Sequence, residues 1–593
     1  MFVALFGAHE WYAEKPFIFR SLLDRFMIQI ASRDPELLTS LGFLESMGIK
    51  GHNAELTDSS PEELDYLFNE IKKVRRSLLL YGVEDLDESE RLSRSVALYL
   101  LDLAVEFEPF RRHNYPLNQM FGVQNGFPSF LDSQHRVETV EDAQNYISRL
   151  SLVKIKFEQT LRGLRIREEQ GIIPPAFVIE RVLKEMTDFV STPTRENILF
   201  SSLQTKMKKS DDISEAQALE LLARAEVEIE TTVFDAYQLF IDYFTSLSGK
   251  AGTDDGFWRL PGGDAAYDLF LKFFTTSDMS ADQIHALGLK EVDRIQAEIV
   301  SILGSEGFTV NEGFTAAIKT MSTNPEFYYA DTDEGREQIL ADYQTILDEI
   351  NSGMDSAFNV RPKSAMEVRR VPQFKEKTAP GAYYQRPALD GSRPGVFFAN
   401  LYDINATPKY GMRTLAYHEG IPGHHFQVAI SMELEGLPIF RTIPLFTAYT
   451  EGWALYAERL ARDLGYQDDP FDNIGRLQAE LFRAVRLVVD TGIHKKKWTR
   501  ERAITYMLDN TGMAATEVVA EIERYIVMPG QATAYKMGMM KILELREKAR
   551  AALGDKFDLK QFHDVVLKNG AVPMGILEQI VDDYIEKSLH EKS

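Results

Sequence analysis

A mostly α-helical fold is what the sequence predicts, on three observations. Apolar residues recur at helical spacing over most of the chain, helix-start signals precede those runs, and only two short segments read as strands. Ser60-Pro61-Glu62-Glu63 puts an N-cap before a proline at the first helical position, where a missing N–H costs nothing, and Leu64, Leu67, Ile71, Val74 and Leu78 follow at helical spacing. Ser280-Ala281-Asp282-Gln283 is a capping box ahead of Ile284, Leu287, Val292, Ile295 and Ile299. Similar patterns fill residues 140–250. The turn-rich run Gly252 to Gly263 predicts a boundary between an N-terminal helical region, residues 1–250, and a second helical region, residues 251–593, the two together enclosing a cleft. Met366–Val371 alternates and Val396–Leu401 is rich in β-formers, with Pro- and Gly-bearing turns between, so a small antiparallel β ribbon is expected there. An edge of that ribbon either holds an extended peptide by main-chain hydrogen bonds or packs on helices.

Composition narrows the function classes. With 593 residues and 44% hydrophobic content the chain can bury a large core, and a net charge of −24 disfavours nucleic acid, because phosphate binding needs a basic surface. The chain has no cysteine, so disulfides and thiolate metal sites are excluded and any metal must use His, Asp or Glu. Met1–Ala8 is an apolar stub too short to span a bilayer. Read as the tail of a leader it predicts a cell-envelope or periplasmic protein with a membrane tether upstream of residue 1; read as a buried first helical turn it is compatible with the cytoplasm.

The segment richest in chemistry is His418-Glu419-Gly420-Ile421-Pro422-Gly423-His424-His425. Without Pro422-Gly423 it is the H-E-x-x-H signature of zinc peptidases, in which two His one turn apart grip the ion and the Glu takes a proton from the attacking water. On an ideal helix His424 would lie ~240° around from His418 and ~9 Å along the axis, which is poor geometry for one ion. The helix must therefore kink or bulge, and Pro422 supplies the cause, since it cannot donate to the His418 carbonyl. His425 is the rival ligand, nearly on the His418 face but ~10.5 Å away. His424 is preferred, with His425 left as a substrate contact. A third ligand is found 33 residues after His418, at Glu451 in Thr450-Glu451-Gly452-Trp453-Ala454-Leu455-Tyr456-Ala457-Glu458. This run reads as a helix with Glu451 and Glu458 on one face and Trp453 and Leu455 available for a core. Two His and one Glu leave a fourth position open, the arrangement of a catalytic zinc site.

These motifs resemble a bacterial family of zinc peptidases inferred from sequence, domain of unknown function 885, marked by HExxPGH and then EGWALYxE. Tyr383-Tyr384 leading to Asp390-Gly391-Ser392-Arg393-Pro394-Gly395, then Val489-Asp490-Thr491-Gly492-Ile493-His494, then Pro529-Gly530-Gln531-Ala532-Thr533-Ala534-Tyr535-Lys536 are similar to further blocks in the family's order. The resemblance runs from about residue 25 to the end and is specific from about residue 250 onward. It implies a large, multi-helix, metallopeptidase-like fold with a gluzincin-like ligand scheme.

The expected chemistry follows. Zinc held by His418, His424 and Glu451 polarises the scissile carbonyl of a short peptide, Glu419 acts as general base, and Tyr535 or His494 steadies the oxyanion. Tyr384, Arg393, Asn400, Lys536 and His425 are expected on the substrate side, with Arg393 and Lys536 as anchors for a substrate carboxylate. Hydrolysis of a non-peptide amide or ester, or a helical binding protein without catalysis, are the competing expectations.

Overall fold

The computed structural model describes residues 2–42, 44–373, 376, 379–388 and 393–590. It is mostly α-helical with one three-stranded sheet. The chain divides into two compact units, Met1–Glu90 with Leu100–Ala266, and Arg91–Tyr99 with Tyr267–Ser593.

In the first unit the helix Pro61–Leu79 starts as expected, with Ser60 Oγ accepting from the Glu63 amide at 3.2 Å. The spine of this unit is the 30-residue helix Val140–Glu169, opened by a capping box between Thr139 and Asp142. Its buried face carries Tyr146, Leu150, Val153 and Phe157, and Phe157 stacks on Phe240 of the helix Phe234–Leu247 with ring centroids 4.5 Å apart. Arg149 on the same helix is fully buried with no carboxylate partner among the described residues. It donates instead to the His52 and Glu55 carbonyls, the Thr39 hydroxyl and His135 Nδ1, which together satisfy a charge that burial alone would penalise. The N-terminal stub forms part of the helix Phe2–Tyr12, in which Phe6, Gly7 and Ala8 are exposed. Among the described residues no helix is long and apolar enough to cross a membrane.

The second unit is organised around the helix Pro470–His494, whose C-terminal half is buried on all sides and whose buried charged residues, such as Arg476 and Glu480, are paired. Glycines let its neighbours reach it. A Cβ on Gly475 would sit 1.9 Å from the Tyr410 carbonyl oxygen, so the helix Lys409–Glu419 crosses there at backbone contact. A Cβ on Gly288 would sit 2.8 Å from Leu487 Cβ, which fixes the approach of the capped helix Ala281–Ser305. A third close crossing joins the helices Thr447–Asp463 and Ala534–Leu553, where Gly452 and Gly538 face each other and a Cβ on Gly538 would lie 1.8 Å from the Ala448 carbonyl oxygen.

The sheet consists of β1 (Met366–Arg370), β2 (Ala382–Gln385) and β3 (Gly395–Ala399), in the order β1-β3-β2. The expected pairing of the two sequence-predicted strands needs correction. β1 and β3 run parallel, Met366 opposite Gly395, and the antiparallel partner of β3 is β2, which pairs Tyr384 with Phe397. The long connection between β1 and β3 contains β2, so the two predicted strands are not a hairpin. β3 is the central strand and is almost wholly buried, with Phe397 edge-on to Tyr343 at 4.9 Å.

Gly538→Ala separates two opposing effects. Alanine gains about 1 kcal/mol of helix propensity over glycine. A methyl group at carbonyl contact forces the two helices apart, at roughly 1–3 kcal/mol. The expected outcome is a lower midpoint in thermal denaturation; a higher one would show the crossing to be loose.

Candidate metal centre

The H-E-containing segment is broken into two helices, a larger departure than the kink or bulge expected. The helix Lys409–Glu419 ends with the Gly420 amide on the Ala416 carbonyl, and the helix His424–Glu433 begins with the Gln427 amide on the Gly423 carbonyl. Between them the Ile421–Pro422 peptide is cis, and a Cβ at Gly423 would lie 2.0 Å from the His418 carbonyl oxygen, so only glycine fits that fold-back. The break is held by the next ligand-bearing helix, where the Trp453 indole N–H donates to the Pro422 carbonyl at 2.8 Å.

This arrangement brings His418, His424 and Glu451 together, with one ligand atom of each within 4.8 Å of the others. Glu451 Oε2 lies 3.6 Å from His418 Nε2 and 3.3 Å from His424 Nε2. Donors ~2.0–2.2 Å from a tetrahedral ion lie roughly 3.3–3.6 Å from one another, so both edges have the size of one coordination sphere. Glu451 Oε2 is buried and makes no well-directed hydrogen bond among the described residues, and its polar neighbours are the two imidazole nitrogens. His418 Nδ1 donates to Glu458 Oε1 at 2.7 Å, which orients the ring and turns Nε2 toward Glu451. His418 and Glu458 are buried, whereas His424 and Glu451 stay partly exposed, so the cluster opens to solvent on one side. The donor set therefore fits a two-His, one-carboxylate ion such as zinc with an open position.

Charge in the site is tightly coupled. Burial disfavours a charged His418 ring, but Glu451 and Glu458 outweigh it and lift the imidazole to about 9. Burial also disfavours the Glu451 carboxylate, yet His424 and His418 hold it well below the usual carboxylate range. A bound cation would take over the role of that positive ring. Glu419, at the end of its helix, is half-buried, and no described residue donates a hydrogen bond to its carboxylate.

The remaining expected residues separate into two groups. His425 is turned away from the trio: its Nε2 donates to the Ser364 carbonyl at 3.1 Å, so its Nδ1 accepts from Tyr384 Oη at 3.0 Å. Gly395 makes room for this pair, since a Cβ there would lie 2.7 Å from His425 Nδ1. Arg393 neighbours Tyr384, while residues 390–392 of its motif lie outside the described residues. Tyr535 opens the helix Ala534–Leu553 one turn before Gly538, and its ring covers the Arg486 guanidinium at 4.7 Å.

Three residues are engaged elsewhere. Lys536 is buried and ion-paired with Glu480 at 2.6 Å and Glu291 at 3.0 Å, which leaves it no charge for a substrate carboxylate. Asn400 donates to the carbonyls of Glu376, Ala379 and Pro380 and so pins a loop. His494 is fully buried with Nε2 on the Tyr525 carbonyl at 3.0 Å, out of reach of an oxyanion. Glu458 is what the sequence reading left without a role, although its seven-residue spacing from Glu451 was the available signal; Trp453, read as a core residue, is buried and in addition holds the Pro422 carbonyl.

His563 is a second fully buried ring, donating from Nδ1 to the Ala357 carbonyl at 2.8 Å, and together with His494 it has a measurable consequence. Burial holds His494 down to about 4 and His563 to about 3, so both are neutral in the fold. Unfolded histidine titrates near ~6.5. The unfolded chain therefore takes up protons the fold does not, and this stabilisation is complete above about pH 6.5 and declines as the pH falls toward 4. The expected result is a thermal midpoint that drops between pH 7 and 5, with a shallower slope in His563→Gln; a flat midpoint would contradict it.

No curated protein is measurably similar to the chain. A crystal structure of a candidate lipoprotein from Colwellia psychrerythraea is 36% identical, with a TM-score of 0.90, covering 96% of this chain and 99% of its own. A second, of a candidate lipoprotein of unknown function from Shewanella oneidensis, shares the fold with a TM-score of 0.74 at 18% identity, covering 95% of this chain and 99% of its own. The family described as bacterial protein of unknown function (DUF885) matches residues 35–581. On that match, and on the Colwellia relative, the chain belongs to the DUF885 family.

Proposed function

We propose that this protein is a zinc-dependent hydrolase of peptide bonds in short peptides, working at the cell envelope. The observation that carries the reading is the buried Glu451 Oε2 set at coordination-sphere distances from two imidazole nitrogens, beside a glutamate free to act as a base. The envelope location is supported by the two structural relatives, both called candidate lipoproteins.

A zinc ion held by His418, His424 and Glu451 would supply Lewis acidity to a carbonyl and acidify water. Glu458 keeps the proton on His418 Nδ1, so the other nitrogen stays a donor of its lone pair. Glu419 takes a proton from the attacking water at a carboxylate oxygen and returns it to the departing amine nitrogen. The Tyr535 hydroxyl, which no described residue occupies, donates to the oxyanion as the carbonyl becomes tetrahedral. A site that only binds has no use for an unengaged carboxylate next to its first ligand, which is why the catalytic reading is preferred.

Separate variants test ligand and base. Glu451→Ala is expected to strip zinc, while Glu419→Gln is expected to retain about one zinc per chain and lose hydrolysis of a short-peptide library; full activity in Glu419→Gln would overturn the mechanism. Glu458→Gln is expected to weaken zinc about 10–100-fold, read by competition with a chelator, because the ring it orients is left less basic. Metal should be lost in His424→Ala and kept in His425→Ala; the opposite pattern would reassign the second ligand.

A further inference from the structure

Arg483 and Arg486 lie one turn apart on one face of the helix Pro470–His494, and both guanidinium groups share the ring of Phe482, at 5.2 and 4.1 Å from its centroid. Arg486 is buried and held by Glu521 at 3.0 Å and the Tyr525 hydroxyl at 2.9 Å, yet its Nη1 has no hydrogen-bond partner. Arg483 is half-buried, with no carboxylate within ion-pair distance among the described residues. Its Nε is buried without a partner, and its one hydrogen bond is a long 3.3 Å contact from Nη1 to the Ala479 carbonyl of its own helix. Acids outnumber Lys and Arg by 90 to 66 in this chain, so an arginine left without one is against the charge balance. Like charges on adjacent turns repel, and unpaired guanidinium N–H groups away from water are costly, so an anion that completes the pair would be bound well.

The place of this pair connects it to the metal centre. Arg486 lies under the Tyr535 ring, Tyr535 is one turn from Gly538, and Gly538 meets Gly452, the residue after Glu451. Arg483 is the more accessible of the two and has its guanidinium uncommitted.

We propose that Arg483, backed by Arg486, is the anchor for the C-terminal carboxylate of the substrate, so that the protein acts on peptides with a free C-terminus. This rests on the peptide-hydrolase reading and assigns to Arg483 the role that the buried ion pairs of Lys536 deny to that residue. Lysine at 483 would present a point charge in place of the planar fork that grips both carboxylate oxygens.

The test uses three zinc-loaded proteins, wild type, Arg483→Ala and Arg483→Lys, and one peptide made as the free acid and as the carboxamide. Wild type is expected to cleave the acid roughly 10–100-fold better in kcat/KM, the range of a charge-assisted hydrogen bond. Arg483→Ala is expected to lose that preference through KM, with zinc content unchanged, and Arg483→Lys to recover part of it. Equal cleavage of acid and amide by wild type, or an unchanged preference in Arg483→Ala, would overturn the proposal. Calorimetric binding of both peptides to Glu419→Gln keeps the two readings apart. If wild type cleaves neither peptide the hydrolase reading fails, and tighter binding of the acid that Arg483→Ala abolishes still supports the anchor, whereas equal binding refutes it.

Discussion

The hydrogen bond from the Trp453 indole to the Pro422 carbonyl is the constraint on which the candidate site depends. The two histidines stand on separate helices, and four residues between them, Gly420 to Gly423, make no helix of their own. A loop of that kind would leave the second histidine free to swing. Trp453 is fully buried two residues after Glu451, so the helix that supplies the third donor also fixes the loop that separates the first two. Leaving that carbonyl without its donor would cost roughly 1–3 kcal/mol, enough to favour other loop paths.

Beneath the site, position is set by close backbone approach. Gly475, Gly288, Gly452 and Gly538 each occupy a spot where a Cβ would strike a neighbouring helix, and these crossings aim the helices that carry His418, Glu451 and Tyr535. Around them an ionic cluster of Lys536, Glu480, Glu291, Arg294 and Arg476 is buried at Lys536 and Glu480 and reaches the surface through Arg294 and Glu298. Such clusters contribute less to stability than their contacts suggest, because desolvation offsets attraction. Their geometric demand is strict, however, and here it joins the helices Ala281–Ser305, Pro470–His494 and Ala534–Leu553 at one point.

Much of this was legible in the sequence, and the failures have physical causes. Helix starts at Ser60 and Ser280 were readable because a cap is a local interaction between residues three apart. The trio His418, His424 and Glu451 was readable from residue type and spacing, and the structure brings those donors to one place. The break at Gly420–Gly423 was read as a kink or bulge because proline reports that a helix is interrupted but not how far the chain departs. β2 is four residues, Ala-Tyr-Tyr-Gln, too short for alternation to show, and with it went the direction of the β1–β3 pair. Lys536 and Tyr535 are adjacent in one motif, but neighbouring helical side chains point ~100° apart. One reaches the Glu480 cluster and the other covers Arg486, a difference visible only once the neighbours are in place.

The three donor-bearing segments are tied to one another by contacts that involve no donor atom facing the cluster. His418 Nδ1 is bound to Glu458 on the Glu451 helix, Pro422 to Trp453 on that same helix, and His425, next to His424, to Tyr384 of β2 and to the Ser364 carbonyl. Each bond uses the side of the residue turned away from the cluster, or a residue adjacent to a donor. These contacts of the fold hold His418, His424 and Glu451 in place, so a cation proposed for this site would find them already ordered. What a divalent cation would add there is electrostatic, a positive charge beside a carboxylate oxygen set between two imidazoles.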